Sequence, residues 1–115
     1  LFVLKIFLKK KRGDFLIVAH RQNIILGFIL LIKDGKDLRI DQILVKNIYK
    51  RKGVAKTLIN FSIDHFLQKF NSIVAGTYDH NLSAKKMYKK MNFRREKTVK
   101  NIYHLYPKKK YNYQN

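Results

Sequence analysis

Two short segments hold residue types and spacings that could do chemistry. In Lys50-Arg51-Lys52-Gly53-Val54-Ala55 a glycine stands where an apolar run gives way to an amphipathic helix pattern, with cationic side chains on both sides of it. A helix start leaves backbone N–H groups without intrahelical partners. With Lys50, Arg51, Lys52 and Lys56 these groups frame a small electropositive space that suits a phosphate. The second segment is Asn81-x-x-Ala84-x-x-x-Tyr88-x-x-x-x-Phe93. Asn81 precedes a helix pattern on which Ala84, Tyr88 and Met91 share a face, so an amide and a phenol can project toward one groove. Together the segments imply a cofactor with a phosphorylated end and a reactive end.

Each segment also has a plainer reading. Taken alone, Lys50 to Ala55 is equally a solvated helix start, Asn81 a cap or turn residue, and Tyr88 an interfacial aromatic. Neither the GxxxxGK[ST] loop of nucleotide-binding proteins nor a GxGxxG dinucleotide fingerprint is present. With no cysteine, the chain has no disulfide framework, thiolate metal site or cysteine nucleophile. His20, His65, His80 and His104 lack metalloprotease spacing, and no metal is expected.

The elements that must position these segments follow from pattern. The chain has 115 residues, 26 Lys and Arg against 7 Asp and Glu, and 46% hydrophobic residues; that apolar content favours a folded domain despite the +19 charge. We expect one domain over residues 13–106, with 1–12 as the remnant of a preceding element or a basic linker and 107–115 as a basic polar tail. Leu1 to Leu8 is too short to span a bilayer and precedes its basic run rather than following it, the reverse of a signal peptide, so a cytoplasmic location is expected. Lys9 to Arg12 is read as a solvated linker, with contact to anionic lipid or nucleic acid as the alternative.

Strands are expected at Phe15 to His20, Ile24 to Lys33 and Leu38 to Val45, the last two joined through the turn Asp34-Gly35-Lys36-Asp37. A helix from Val54 to Phe70 carries apolar residues at helical spacing, and a strand over Ser72 to Tyr78 completes a crossover unit. Ser83 is expected to cap a second helix ending near Met91. A closing pair of strands is expected at Phe93 to Glu96 and Val99 to Tyr106.

On these residues the chain resembles a GNAT superfamily acetyltransferase from Gly13 through Tyr106. The loop that receives the acetyl-CoA pyrophosphate in that family matches here at Lys50, Gly53 and Ala55, with lysine in place of arginine or glutamine. Asn81, Ala84, Tyr88 and Phe93 match the second family motif, and Asn92 replaces the usual glycine. The resemblance implies a mixed, twisted α/β sheet with splayed central strands and helices on both faces. It further implies acetyl-CoA as cosubstrate, phosphate contacts from Lys50, Arg51, Lys52, Gly53, Val54, Ala55 and Lys56, a pantetheine arm beside Leu44, Val45 and Asn81, and Ala84 and Tyr88 also among the residues that bind the coenzyme. Tyr88 is then the general acid that protonates the departing thiolate, and a backbone N–H near Leu44 or Val45 an oxyanion donor. Asp41, on the strand entering the site, is a candidate general base, with a solvent-facing or cation-paired Asp41 and water-mediated deprotonation as the alternatives.

Within the superfamily, Phe15-Leu-Ile-Val-Ala, Arg39-Ile-Asp-Gln-Ile-Leu-Val, Gly76-Thr-Tyr-Asp-His-Asn-Leu-Ser-Ala and Tyr103-His104-Leu105 resemble bacterial amino-sugar N-acetyltransferases of the dTDP-4-amino-4,6-dideoxygalactose type. That resemblance implies a nucleotide-linked amino sugar as acceptor and leaves room for a homodimer. The alternatives are a protein or peptide N-acetyltransferase and, in another class, a basic nucleic-acid-binding protein without enzymatic activity. Lysine enrichment alone is weak evidence for the last, and no RNA-recognition motif or zinc finger is present.

Overall fold

The computed structural model describes residues 3–9 and 13–108. Strands β1 (Val3–Lys9), β2 (Asp14–Arg21), β3 (Ile24–Asp34) and β4 (Asp37–Val45) form an antiparallel meander, followed by helix α1 (Val54–Phe66) and strand β5 (Ile73–Gly76). Helix α2 (Leu82–Lys90) and strands β6 (Arg94–Arg95) and β7 (Ile102–Leu105) complete the chain. The sheet order is β1-β2-β3-β4-β5-β7-β6, with β4 and β5 parallel and all other pairs antiparallel. This is the expected mixed sheet flanked by helices. Val3–Lys9 extends it by pairing with β2, so residues read as a remnant or linker supply an edge strand. Residues 10–12 of the basic run and 109–115 of the tail lie outside the described residues.

Alternation along the strands decides which face is covered. Ile17 and Ala19 of β2, Ile29 and Leu31 of β3, Leu38 and Ile40 of β4, and Ile73 and Ala75 of β5 are all buried. Cross-strand pairing puts them on one face. Helix α1 covers that face with Val54, Leu58, Ile59 and Phe66, and the Phe66 ring lies 4.3 Å from that of Phe15. Tyr103 pairs with Ala75 and therefore shares the face, and the Tyr88 ring of α2 packs 5.7 Å from it. Of the two faces expected to carry helices, both described helices occupy this one. Leu16, Val18, Phe28, Leu30 and Ile32, on the opposite face, are half-buried.

The splay between the central strands is present. Only Leu38, Arg39 and Ile40 pair with Ile73, Val74 and Ala75, while β4 continues to Val45. The β3–β4 register shifts by one between Leu30 paired with Gln42 and Leu31 paired with Ile40, which leaves Asp41 as an extra residue, a β-bulge. Asp41 and Gln42 are both exposed, and Ile43 and Val45 return to the half-buried phase. Gly27 of β3 makes the close approach here: a Cβ on it would stand 2.5 Å from the Leu44 carbonyl oxygen.

Two helix boundaries differ from expectation. Helix α1 ends at Phe66, and Leu67–Lys69 tighten into a 3₁₀ turn in which Phe70 N–H bonds back to the Leu67 carbonyl. Asn81, not Ser83, caps α2: its Oδ1 accepts from Ala84 N–H at 3.1 Å, because the helix begins one residue before Ser83, at Leu82. At the other end Asn92 takes φ +69°, Asn92 N–H bonds the Lys89 carbonyl, and Phe93 N–H bonds the Tyr88 carbonyl. These bonds, with the Tyr88 and Phe93 rings 5.2 Å apart, make a Schellman cap with its apolar contact.

Candidate active site at the parting of β4 and β5

Parallel strands end on the same edge of a sheet, so the chain leaves β4 and β5 at the same side of the domain. Helix α1 and helix α2 both start there, which puts the two chemistry-bearing segments at one end of the splay. Gly53 is the N-cap of α1 at φ +82°, a conformation that costs glycine little, and a Cβ built on it would meet nothing within 4 Å. No side chain caps this helix. Its opening N–H groups at Val54, Ala55 and Lys56 therefore keep their capacity to bind an anion, and the helix dipole favours one. Val54 is buried and Ala55 half-buried, whereas Lys50, Arg51, Lys52 and Lys56 are exposed with their charges available at the rim. Arg51 also holds a positive φ, +65°, so the loop takes two left-handed residues to reverse direction.

Backbone alternation sharpens the oxyanion expectation. Lys46 N–H bonds the Leu26 carbonyl at 2.9 Å, and this fixes the phase of the antiparallel β3–β4 ladder. Leu44, two residues back, turns its backbone polar groups toward β3. Ile43 and Val45 turn theirs toward the gap, where β4 has lost its pairing with β5. Of the two residues expected to donate, Val45 is on the open edge. Leu44 is 60% exposed and offers an apolar side chain instead.

The α2 residues divide by burial. Asn81 is exposed, and because its Oδ1 caps the helix its amide nitrogen remains the free donor. Ala84 is half-buried. Tyr88 is 3% exposed, its ring packed against Phe93 and Tyr103, and burial pushes its phenol above the ordinary tyrosine value. Asp41 stands on the bulge and pairs with Arg39 at 3.4 Å, on the sheet face away from both helices.

Asp79, in the loop between β5 and α2, was not singled out by the sequence. Its carboxylate holds Lys85 of α2 and Lys100 of the β6–β7 loop at 3.3 Å each, and hydrogen bonds and charge from these two lysines keep its pKa below the usual aspartate value. Beside it the rings of Tyr78 and His80 stack 5.7 Å apart. In a chain with so many lysines, nothing in the order of residues marks the two that would meet one aspartate. Among the described residues no group of three or more His, Cys, Asp or Glu could hold a metal ion, and no helix is long and apolar enough to cross a membrane.

The fold is shared with solved acetyltransferases. A Bacillus subtilis acetyltransferase in complex with CoA superposes with a TM-score of 0.77 at 14% identity, over 93% of this chain and 99% of that one. A GNAT family acetyltransferase from Elizabethkingia anophelis with acetyl-CoA bound gives 0.66 at 25% identity, over 70% of this chain and 54% of that one. The UPF0157 protein YqkA of Bacillus subtilis is 31% identical over 100 residues, 80% of this chain, which spans only 29% of YqkA's length. Residues 4–105 match the acetyltransferase (GNAT) domain, and this chain belongs to that family.

Proposed function

We propose that this protein transfers the acetyl group of acetyl-CoA to a primary amine, and that the amine belongs to a nucleotide-linked amino sugar. The observation that carries the reading is the parting of β4 from β5 beside an uncapped helix start at Gly53. An elongated, phosphorylated cosubstrate fits that combination: N–H groups at one end of the groove, a free strand edge along it, and Asn81 and Tyr88 on the other side. Acetyl-CoA supplies an activated acyl group, so the protein itself needs no nucleophile, in keeping with a chain that has no cysteine.

The chain's own contributions are orientation, charge stabilisation and a proton. Gly53 to Lys56 hold the phosphates, and the Asn81 amide nitrogen donates to the arm. Val45 N–H faces the negative charge that develops on the acyl oxygen. Tyr88 donates from its hydroxyl toward the departing sulfur. Asp41 accepts the amine proton only by releasing Arg39. The amino-sugar assignment is supported by the sequence resemblance in β2, β4 and the β5–α2 loop.

Release of free thiol from acetyl-CoA, followed with nucleotide-linked amino sugars and with amine-bearing peptides in parallel, tests both levels. Turnover with the sugars is expected. Turnover with peptides alone would replace the acceptor, and binding of DNA or RNA without any affinity for acetyl-CoA would reject the enzyme.

A further inference from the structure

A second concavity, of about 450 Å³, opens between α2 and the β6–β7 loop, with Asp79 and Glu96 among its lining residues and none of residues 50–56. Lys85 and Lys89 line it from one turn of α2 to the next, Arg95 from β6, and Lys97 and Lys100 from the loop. A chain with +19 net charge has cations over most of its surface, so their number alone decides nothing. Their arrangement does. Asp79 clamps Lys85 and Lys100, from two different elements, at 3.3 Å each. Thr77 N–H bonds the Asn101 carbonyl at 3.1 Å and fixes the loop to the exit of β5, while Glu96 N–H bonds Ile102 at 2.7 Å and closes its other end. The Lys85 side chain is 22% exposed, well covered for a lysine on a helix surface. Lys100 is 77% exposed, so Lys85 is the cation both held and covered in advance, and it loses the least freedom when an anion arrives.

We propose that this pocket binds a phosphate or diphosphate group, separately from the Gly53 loop. Two lysines satisfied by one carboxylate still have donors to spare, since each ammonium carries three. Lys89, Arg95 and Lys97 have no carboxylate within salt-bridge distance among the described residues. Tyr103 also lines the pocket, and its ring packs against Tyr88, so a ligand anchored here lies one aromatic layer from the proposed proton donor. The anion site stands by itself; its assignment to a source rests on the proposed acetyl transfer. A nucleotide-linked acceptor brings a diphosphate, and coenzyme A brings a 3′-phosphate.

The test titrates inorganic pyrophosphate at low salt, by calorimetry and by amide chemical shifts. Shifts are expected at Lys97 to Asn101 as well as at Gly53 to Lys56. Lys97→Gln with Lys100→Gln, both exposed and remote from the core, should weaken the site roughly tenfold while the Gly53 shifts persist. Shifts confined to Gly53 to Lys56, or affinity untouched by the double change, would overturn the proposal. Its source is read by comparing coenzyme A with its 3′-dephospho form. If the double change weakens only the former, the coenzyme phosphate occupies the pocket; if it weakens neither but raises KM for the nucleotide-linked sugar, the acceptor does. Should no acceptor turn over at all, the pyrophosphate result still decides the site.

Discussion

Tyr88 holds its proton more firmly than a free phenol because the phenolate would be buried against Phe93 and Tyr103. An ordinary thiol has a pKa of about 8.5, so complete transfer from this phenol to a thiolate runs uphill. In the proposed role its contribution is a hydrogen bond that strengthens as the sulfur gains charge. Tyr88→Phe should therefore retain packing and coenzyme affinity but lower kcat by roughly 10²-fold, the low end for general acids. Near-normal turnover under conditions where chemistry limits the rate removes Tyr88 from the role. The pH dependence has a definite sign. Activity should climb as the acceptor amine loses its proton and fall only above pH 10, where the phenol starts to ionise. The same raised pKa means that the folded state binds the proton more tightly than the unfolded chain. Its stability contribution is present below pH 10 and is lost as pH rises through the folded value, which alkaline melting curves will register. At Gly53 the backbone angle and the charge can be separated. Gly53→Asn tolerates a left-handed φ and should keep most acetyl-CoA affinity, whereas Gly53→Asp sets a carboxylate before the phosphates and should reduce it sharply in a calorimetric titration.

Helix α2 shows why the second motif is spaced as it is. Tyr88 and Phe93 are five residues apart because they close a Schellman cap, with Asn92 turning the chain between them. Asn92→Ala should cost about 1 kcal/mol in a denaturant melt, and Asn92→Gly should be neutral or stabilising. Asn92 and Gly53 were legible in the sequence for one reason: left-handed positions restrict residue choice. The start of α2 was less legible, since Asn81 and Ser83 are both good caps and only the structure shows that Leu82 is already helical. The bulge at Asp41 was hidden by composition. An apolar run at Ile43-Leu44-Val45 fits either phase of alternation, so the sequence left Leu44 and Val45 equivalent where the ladder distinguishes them. Nor does a strand-helix-strand pattern say where the following helix packs. That α1 and α2 share one face is read from the Tyr88–Tyr103 contact, which joins α2 to β7 across the intervening β6 and its loop.

Over the whole molecule, the hydrogen bonds between β4 and β5 are concentrated at one end. Besides the three paired residues of each strand, Leu38 N–H bonds the Ser72 carbonyl and Asn71 N–H bonds the Lys36 carbonyl, both at 2.9 Å. Ser72 adds a side-chain bond to Asp37 at 2.9 Å and lies 3.5 Å from His104, whose Nε2 meets Glu96 at 3.1 Å. Mechanically, the domain is two blades riveted at the base: the meander of β1 to β4 on one side, β5 to β7 on the other. Towards their free ends the two blades are joined through α1 and its connections rather than by strand pairing. In the proposed binding mode a coenzyme lying between them is a splint as well as a cosubstrate, reaching β4 and the start of α1 on one side of the gap and α2 on the other. At a hundred times its Kd it should add about 2.7 kcal/mol to unfolding stability. Hydrogen exchange should slow most at Ile43 and Val45 and at the start of α2, and little at the rivet. An uncoupled pair of blades would protect only the half that holds the phosphates. Protection on both sides of the gap from a ligand anchored mainly on one is the signature of a tool that tightens around its work.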